Sequence, residues 1–298
     1  MKLRILHETV YAYAPAVDTA QHIVHLKPRD TTSQTLLSHS LEVSPTPAAR
    51  SERIDAWGNI RSYFALQTAH NVLRVVAEST VLTAEPVAMP ADGGAAWDVV
   101  RERFRYRAGS IWDRAAEFVF PSEYVPYHDD FAAYARPVFM PGTPVLVAAE
   151  ALMRRIFFDF KYESASTDVG TPAVEALAQR KGVCQDFAHI MIGCLRALGV
   201  PARYVSGYLL TVPPPGQARL VGSDASHAWV SVYAPPAANV NAPGAWYDFD
   251  PTNNRMPGED YVTIAFGRDF GDVSPMRGLL HGGGEHTLDV GVTVEPLV

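Results

Sequence analysis

The period of the apolar residues changes twice along this chain, and that change limits its fold more than any other feature. Over residues 2 to 85 apolar and polar residues alternate, as in LRILHETVYAY, IDAWGNIRSYFALQ and NVLRVVAESTVLT. A period of two sends alternate side chains to opposite faces of a strand, and the Gly58-Asn59 turn inside the second run points to a hairpin. From about 143 to 198 the spacing lengthens to three and four, which is helical. After 202 it returns to two in ARYVSGYLL, HAWVSVYA, AWYDFDPT and TLDVGVTVEPL. The expected class is α+β. An N-terminal antiparallel β-sandwich-like domain is expected over 1–88 and a second domain over 97–298, with helices packed on an antiparallel sheet. The segment EPVAMPADGGAA, rich in Pro and Gly, marks the boundary.

Within the helical stretch, Thr143-Pro144 and Thr171-Pro172 read as N-caps followed by prolines at the first helical position. From Cys184 to Leu198, Phe187, Met191, Cys194, Leu195 and Leu198 fall at spacings of three and four, and Gly199 and Pro201 stop the run. This helix is expected to be largely buried.

Composition narrows the function. With 298 residues, 48% hydrophobic and 19% charged, the chain is ordinary globular material. A formal charge of -7 with scattered Lys and Arg gives no drive toward nucleic acid. No apolar run is long enough for a membrane span, and the alternating start is unlike a secretory signal, so a cytoplasmic location is expected. Two cysteines are the whole thiol inventory. On one helix they would sit about 15 Å apart, too far for a disulfide. They are also too few for a Cys-rich zinc site, and neither a metal nor a cofactor is expected.

The stretch GVCQDFAH (182–189) places Cys184 where a glycine-led loop enters a helix. There the sulfur meets unpaired backbone N–H groups and the positive end of the helix dipole, both of which favour thiolate. Such a nucleophile needs a base, and His227 opens the strand HAWVSVYA. The base needs an orienting group. If the strands 227–234 and 245–252 form a hairpin with Ala234 facing Ala245, position 229 faces 250. His227 and Asp250 then share a face as diagonal neighbours about 7 Å apart. Asp248 lies on the same face but further along and ranks second.

Together GVCQDFAH, SGYLL, DASHAWVSVY and WYDFDPTN resemble the transglutaminase-like superfamily of papain-related cysteine enzymes, in its bacterial branch. YAYAPAV, HLKPRD and DAWGN resemble that branch's N-terminal β domain. The resemblance implies a papain-like catalytic core with Cys184 as nucleophile, His227 as base and acid, and Asp250 as the orienting carboxylate. It implies acyl chemistry through a thioester on a peptide or protein substrate, with hydrolysis placed first and glutamine transamidation second. A non-catalytic binding or scaffold protein is the rival from another class. A structural cysteine would stay inert to iodoacetamide, whereas an activated one would not.

Other residues have plainer readings. Cys194 belongs in the core beside Ile192, Leu195 and Leu198. His189, about 140° around the helix from Cys184, is structural. Asp186 braces the helix start, and Trp229 and Trp246 pack in the hairpin or wall the cleft. His281, Glu285 and His286 in HGGGEH suggest a metal site, but glycines do not orient ligands and a mobile loop is the simpler expectation. His22 and His25 are read as surface or domain-contact residues. The acidic pair after His128, Asp129 and Asp130, offers too few oxygens for calcium and fits a solvated helix start. The Pro-rich segment 211–226 is expected to form a lid.

Overall fold

One unusually long strand organises the computed structural model, which describes residues 1–109, 113–163, 170–211 and 226–297. β1 (Lys2–Val24) alternates buried and partly exposed residues along its first half, as its period predicts. It is followed by β2 (Gln34–Ser44), β3 (Ala49–Ile54), β4 (Ile60–Leu66) and β5 (His70–Thr83), in the antiparallel order β2-β5-β1-β4-β3. The N-terminal half of β1 pairs with β5 and the C-terminal half with β4. The register shifts between Ala12 and Val17. Val17, Val24, Phe64, Leu66, Leu73 and Val75 join residues from both halves in one core, the sandwich-like arrangement expected. At the β3–β4 turn Gly58 has φ +81° and the Asp55 carboxylate accepts from the Asn59 N–H at 2.9 Å.

The second unit holds α1 (Trp97–Phe104), α2 (Asp129–Ala135), α3 (Val145–Asp159), β6 (Lys161–Tyr162), α4 (Ala173–Gln179), β7 (Lys181–Gly182) and α5 (Cys184–Ala197). Next come β8 (Ala202–Leu209), β9 (Ser226–Ala234), β10 (Ala245–Phe249), β11 (Tyr261–Gly267) and the short α6 (Phe270–Val273). β10-β9-β8-β11 form an antiparallel sheet, and β6 and β7 a small parallel pair. Both threonine caps are corrected. α3 and α4 begin one residue later than expected, with Pro144 and Pro172 at the N-cap and no side-chain cap. At α3 the backbone of the inter-unit segment does that work: Val145 N–H reaches Ala95 O at 2.9 Å and Leu146 N–H reaches Gly93 O at 3.1 Å. The segment expected as a linker is thus packed against the second unit. His128 caps α2 as a solvated helix start, accepting from Asp130 N–H.

Residues 276–296, expected within the second unit, lie instead in the first sheet. β12 (Met276–Gly282) pairs with Val17 to Val24 of β1, and β13 (Glu285–Pro296) with Leu3 to Ala14. The glycines of HGGGEH break this strand, with Gly282 and Gly283 at φ +80° and +78°. What was expected as a mobile loop is a break within an ordered strand pair. Leu3, Ile5, Val81, Val292 and Val294 extend the main core between the two units. His7 Nδ1 and the Tyr208 hydroxyl meet at 2.7 Å across the same boundary. The edge strand β11 is also covered. Gln34 and Asn59 use their side-chain amides to bond the backbone of Thr263 and Phe266 at 2.7–2.8 Å.

α5 is the buried spine expected. Phe187, Ile190, Met191, Cys194 and Leu195 are in the core with Ala228, Val230 and Val232 of β9. The buried Arg196 guanidinium donates to the carbonyls of Phe118, Ala202 and Arg268, fixing the far end of the helix. Gly199, at φ +77°, ends it. Among the described residues no helix is long and apolar enough to cross a membrane.

Candidate active site

Two short devices set Cys184 at the first position of α5. The β6–β7 pair places Tyr162 opposite Gly182, just before the helix. The Asp186 carboxylate then accepts from Val183 N–H at 2.8 Å. Gly182 makes room for that bond, since a Cβ there would lie 2.5 Å from Asp186 Oδ2. Asp186 therefore braces the helix start, as expected. Cys184 is partly exposed, while Cys194 is fully buried and burial pushes its thiol far above the usual range.

The hairpin register is the one anticipated. Ala245 faces Ala234 and Phe249 faces Val230, which sets Asp250 level with Trp229 and diagonal to His227. His227 Nε2 and Asp250 Oδ2 are 2.7 Å apart, with the carboxylate wholly buried. Cys184 is also close enough to the ring to raise its pKa, through hydrogen bonding and through its charge. The structure thus brings sulfur, imidazole and carboxylate together. Burial opposes charge on His227, but the bonds to Asp250 and Cys184 outweigh it and the ring is pushed up to about 10. Asp250 is held below the usual carboxylate range despite its burial, by His227 first and then by Tyr261 and Asn253.

Asp250 collects more donors than the sequence disclosed. The Tyr261 hydroxyl donates at 2.6 Å and Asn253 Nδ2 at 2.7 Å to Oδ2, while Thr252 N–H reaches Oδ1 at 2.8 Å. The two backbone contacts from Thr252 and Asn253 follow from the tight turn after the aspartate. Tyr261 comes from β11, and nothing local in sequence points to it. Gly207 is a third missed residue. It faces His227 on β8, and a Cβ there would meet the Trp229 ring at 2.5 Å and Val262 O at 2.2 Å. Tyr162, half exposed, is close enough to feel the charge of Cys184; its phenol is raised first by burial and then by that sulfur.

The remaining candidates separate from the site. Asp248 is occupied by Trp229 Nε1 at 3.1 Å, and burial raises it. Trp229 is fully buried, whereas Trp246 packs on Phe118 and Tyr233. His189 is buried, held down to about 3 by burial, and accepts from Phe270 N–H at 3.2 Å. His22 and His25 are buried rather than on the surface, and His25 takes the domain-contact role given as the alternative, bonding residues 274 and 275. His22 stacks on Phe64, and His25 bonds Ser274 O at 3.1 Å. His281 stands near Asp18 and His286 beside Tyr11, so the two point to different neighbours. Among the described residues no three His, Cys, Asp or Glu side chains converge on a metal position. Most of the expected lid, 212–225, lies outside the described residues.

The arrangement matches known proteins along nearly the whole chain. A family model described as the bacterial transglutaminase-like N-terminal region matches residues 3–82, and one described as the transglutaminase-like superfamily matches residues 132–251. An uncharacterized protein of Mycobacterium tuberculosis (strain ATCC 25618 / H37Rv) is 38% identical over 99% of this chain and 93% of its own length. A protein-glutamine gamma-glutamyltransferase of Pseudomonas aeruginosa is 31% identical over 36% of this chain and 16% of its own length. Among solved structures, "a Putative Cysteine Protease from Cytophaga hutchinsonii" shares the fold. Its TM-score is 0.72 at 24% identity, covering 99% of this chain and 90% of that one.

Proposed function

We propose that this chain, which belongs to the transglutaminase-like superfamily, is a cysteine-dependent amide-bond hydrolase acting on a peptide-like substrate through a thioester. The observation that carries the reading is His227, held by Asp250 at 2.7 Å and close enough to Cys184 for the sulfur to raise its pKa. A protonated imidazole beside sulfur stabilises the thiolate. The thiolate attacks the acyl carbon, and the C–N bond breaks as the amine takes the proton from His227, leaving an S-acyl enzyme. His227, now neutral, takes a proton from water as its oxygen attacks. The C–S bond breaks, and the carboxylic acid and thiolate are released. Asp250 keeps the ring in the required tautomer throughout.

As the first residue of α5, Cys184 carries an N–H without an intrahelical acceptor, placed to receive the developing oxyanion. An amine in place of water would give transamidation by the same steps. Partition of the thioester between water and added alkylamine distinguishes the two outcomes. The central test is Cys184→Ala. Turnover of peptide amides should fall to background while the melting temperature stays close to that of the parent chain. Retained turnover would refute the reading.

A further inference from the structure

Behind the catalytic carboxylate, where the first sheet meets β10 and β11, lies a cavity of about 430 Å³. Its lining includes the rings of Trp246, Tyr247, Tyr261 and Phe266, the cations Arg29 and Arg203, and two acids, Asp248 and Asp30, the latter accepting from Leu36 N–H at 2.7 Å. Arg203 is the unusual member. Its guanidinium lies 3.6 Å from the Phe266 ring centre and 4.2 Å from that of Trp246. Nε is buried without a hydrogen-bond partner, and among the described residues no carboxylate comes within ion-pair distance of the side chain. Asp248, whose charge acts on Arg203 without a direct bond to it, accepts from Trp229 Nε1 at 3.1 Å. Burial draws Arg203 down to about 9, so it stays cationic at neutral pH. Arg29 lies 4.6 Å from the same Phe266 ring, is held at one end by Trp57 O and Asn59, and also has an unpartnered buried Nε.

A guanidinium nitrogen buried without an acceptor is costly, because a donor is removed from water and not repaired; Arg203 is partly exposed as a residue, and Nε is the buried donor left unbonded. Stacking on aromatic rings satisfies the faces of the cation but leaves its N–H edge free. An anion of matching planar shape satisfies that edge, and the aromatic walls receive an apolar body attached to it. We infer that this cavity is a binding site for an organic carboxylate carrying an aromatic or apolar group, recognised through Arg203. The site is separate from Cys184; carboxylate binding there does not rest on the proposed function, and only the assignment of that carboxylate to the substrate does. Its ligand is either the acidic end of the substrate or a free small acid.

The test uses the intact chain with N-acetyl-phenylalanine and its uncharged amide as matched probes, read by the fluorescence of Trp229 and Trp246. The acid should give a saturable change, with the amide at least about tenfold weaker. Arg203→Met should lose the preference for the acid, its folding being checked by melting. If that variant does not fold, the acid-to-amide comparison on the parent chain still decides. Equal binding of both probes, no saturable response to the acid, or an unchanged preference in a folded Arg203→Met would overturn the inference. With the acid bound, slowed alkylation of Cys184 by iodoacetamide identifies the substrate end as the natural ligand. An unchanged rate identifies a free acid.

Discussion

Histidines are enclosed in both the seven-stranded sheet and the candidate site, with opposite results. In the sheet His7, His22 and His39 are pushed down to about 4 by burial. At the site His227 is buried too, yet it is pushed up to about 10. The difference is the partner. His22 stacks on Phe64 with both ring nitrogens unbonded, and His7 meets only the hydroxyls of Tyr208 and Thr9. His227 meets a buried carboxylate and a thiol. Burial alone keeps an imidazole neutral; burial beside an anion keeps it charged. The same residue type serves as packing in one region and, in the proposed mechanism, as a proton carrier in the other.

Removing the anion should make the two regions alike. In Asp250→Asn the ring of His227 loses its charge partner, and its titration, followed by NMR, should fall from about 10 toward the range of the sheet histidines. Turnover should drop about 10⁴-fold, as expected when an orienting acid loses its charge. A drop of less than about tenfold would break the comparison at its centre.

The linkage to stability also has opposite signs. The sheet rings have folded-state values below the ordinary 6.5, so the unfolded chain binds more protons between about 4 and 6.5. Stability is therefore present above that window and is lost as pH falls through it, at up to about 1.4 kcal/mol per pH unit for the enclosed His7 and less for the more exposed His39. His227 works the other way: its contribution is complete below 6.5 and is lost as pH rises through about 10. His22→Phe keeps the stack on Phe64 and removes one titrating ring. Its melting temperature should exceed that of the parent chain by a margin that widens as the pH is lowered from neutral toward about 4. A margin independent of pH would show that His22 does not titrate in this way.

The smallest effect is expected at the sulfur end of the site. Gly182→Ala forces a Cβ against Asp186 and should displace the bond that braces Val183. A cost of about 1 kcal/mol in stability is expected, the usual value for a lost helix cap. Turnover should fall while the titration of His227 against Asp250 keeps its raised midpoint. Coupled loss of that midpoint would mean that the helix start and the hairpin are not independent supports.

Much of the site was legible because its parts are local. Cys184 at a helix start is read from Gly182 and the helical spacing that follows, and the placement of His227 near Asp250 follows from one hairpin register. The donors that complete Asp250 were less accessible, because Tyr261 arrives from a strand beyond β10 and pairs with β8 rather than with the hairpin. Arg203 was hidden for a related reason: in ARYVSGYLL it is one more polar residue in an alternating strand, until Phe266 and Trp246 close over it.

By itself the sequence determined the class of each segment, the α+β order, the helix start at Cys184 and the shared face of His227 and Asp250, since these depend on periodicity and on neighbours a few residues away. Only the tertiary structure decided that β12 and β13 return to β1, and that His22 and His25 are enclosed. It also settled which aspartate meets the imidazole, with Asp250 taken by His227 and Asp248 by Trp229. The return of β12 and β13 to β1 depends on surfaces that meet across more than two hundred residues of chain. The pairing of distant strands is set by the burial of the whole core rather than by any local pattern.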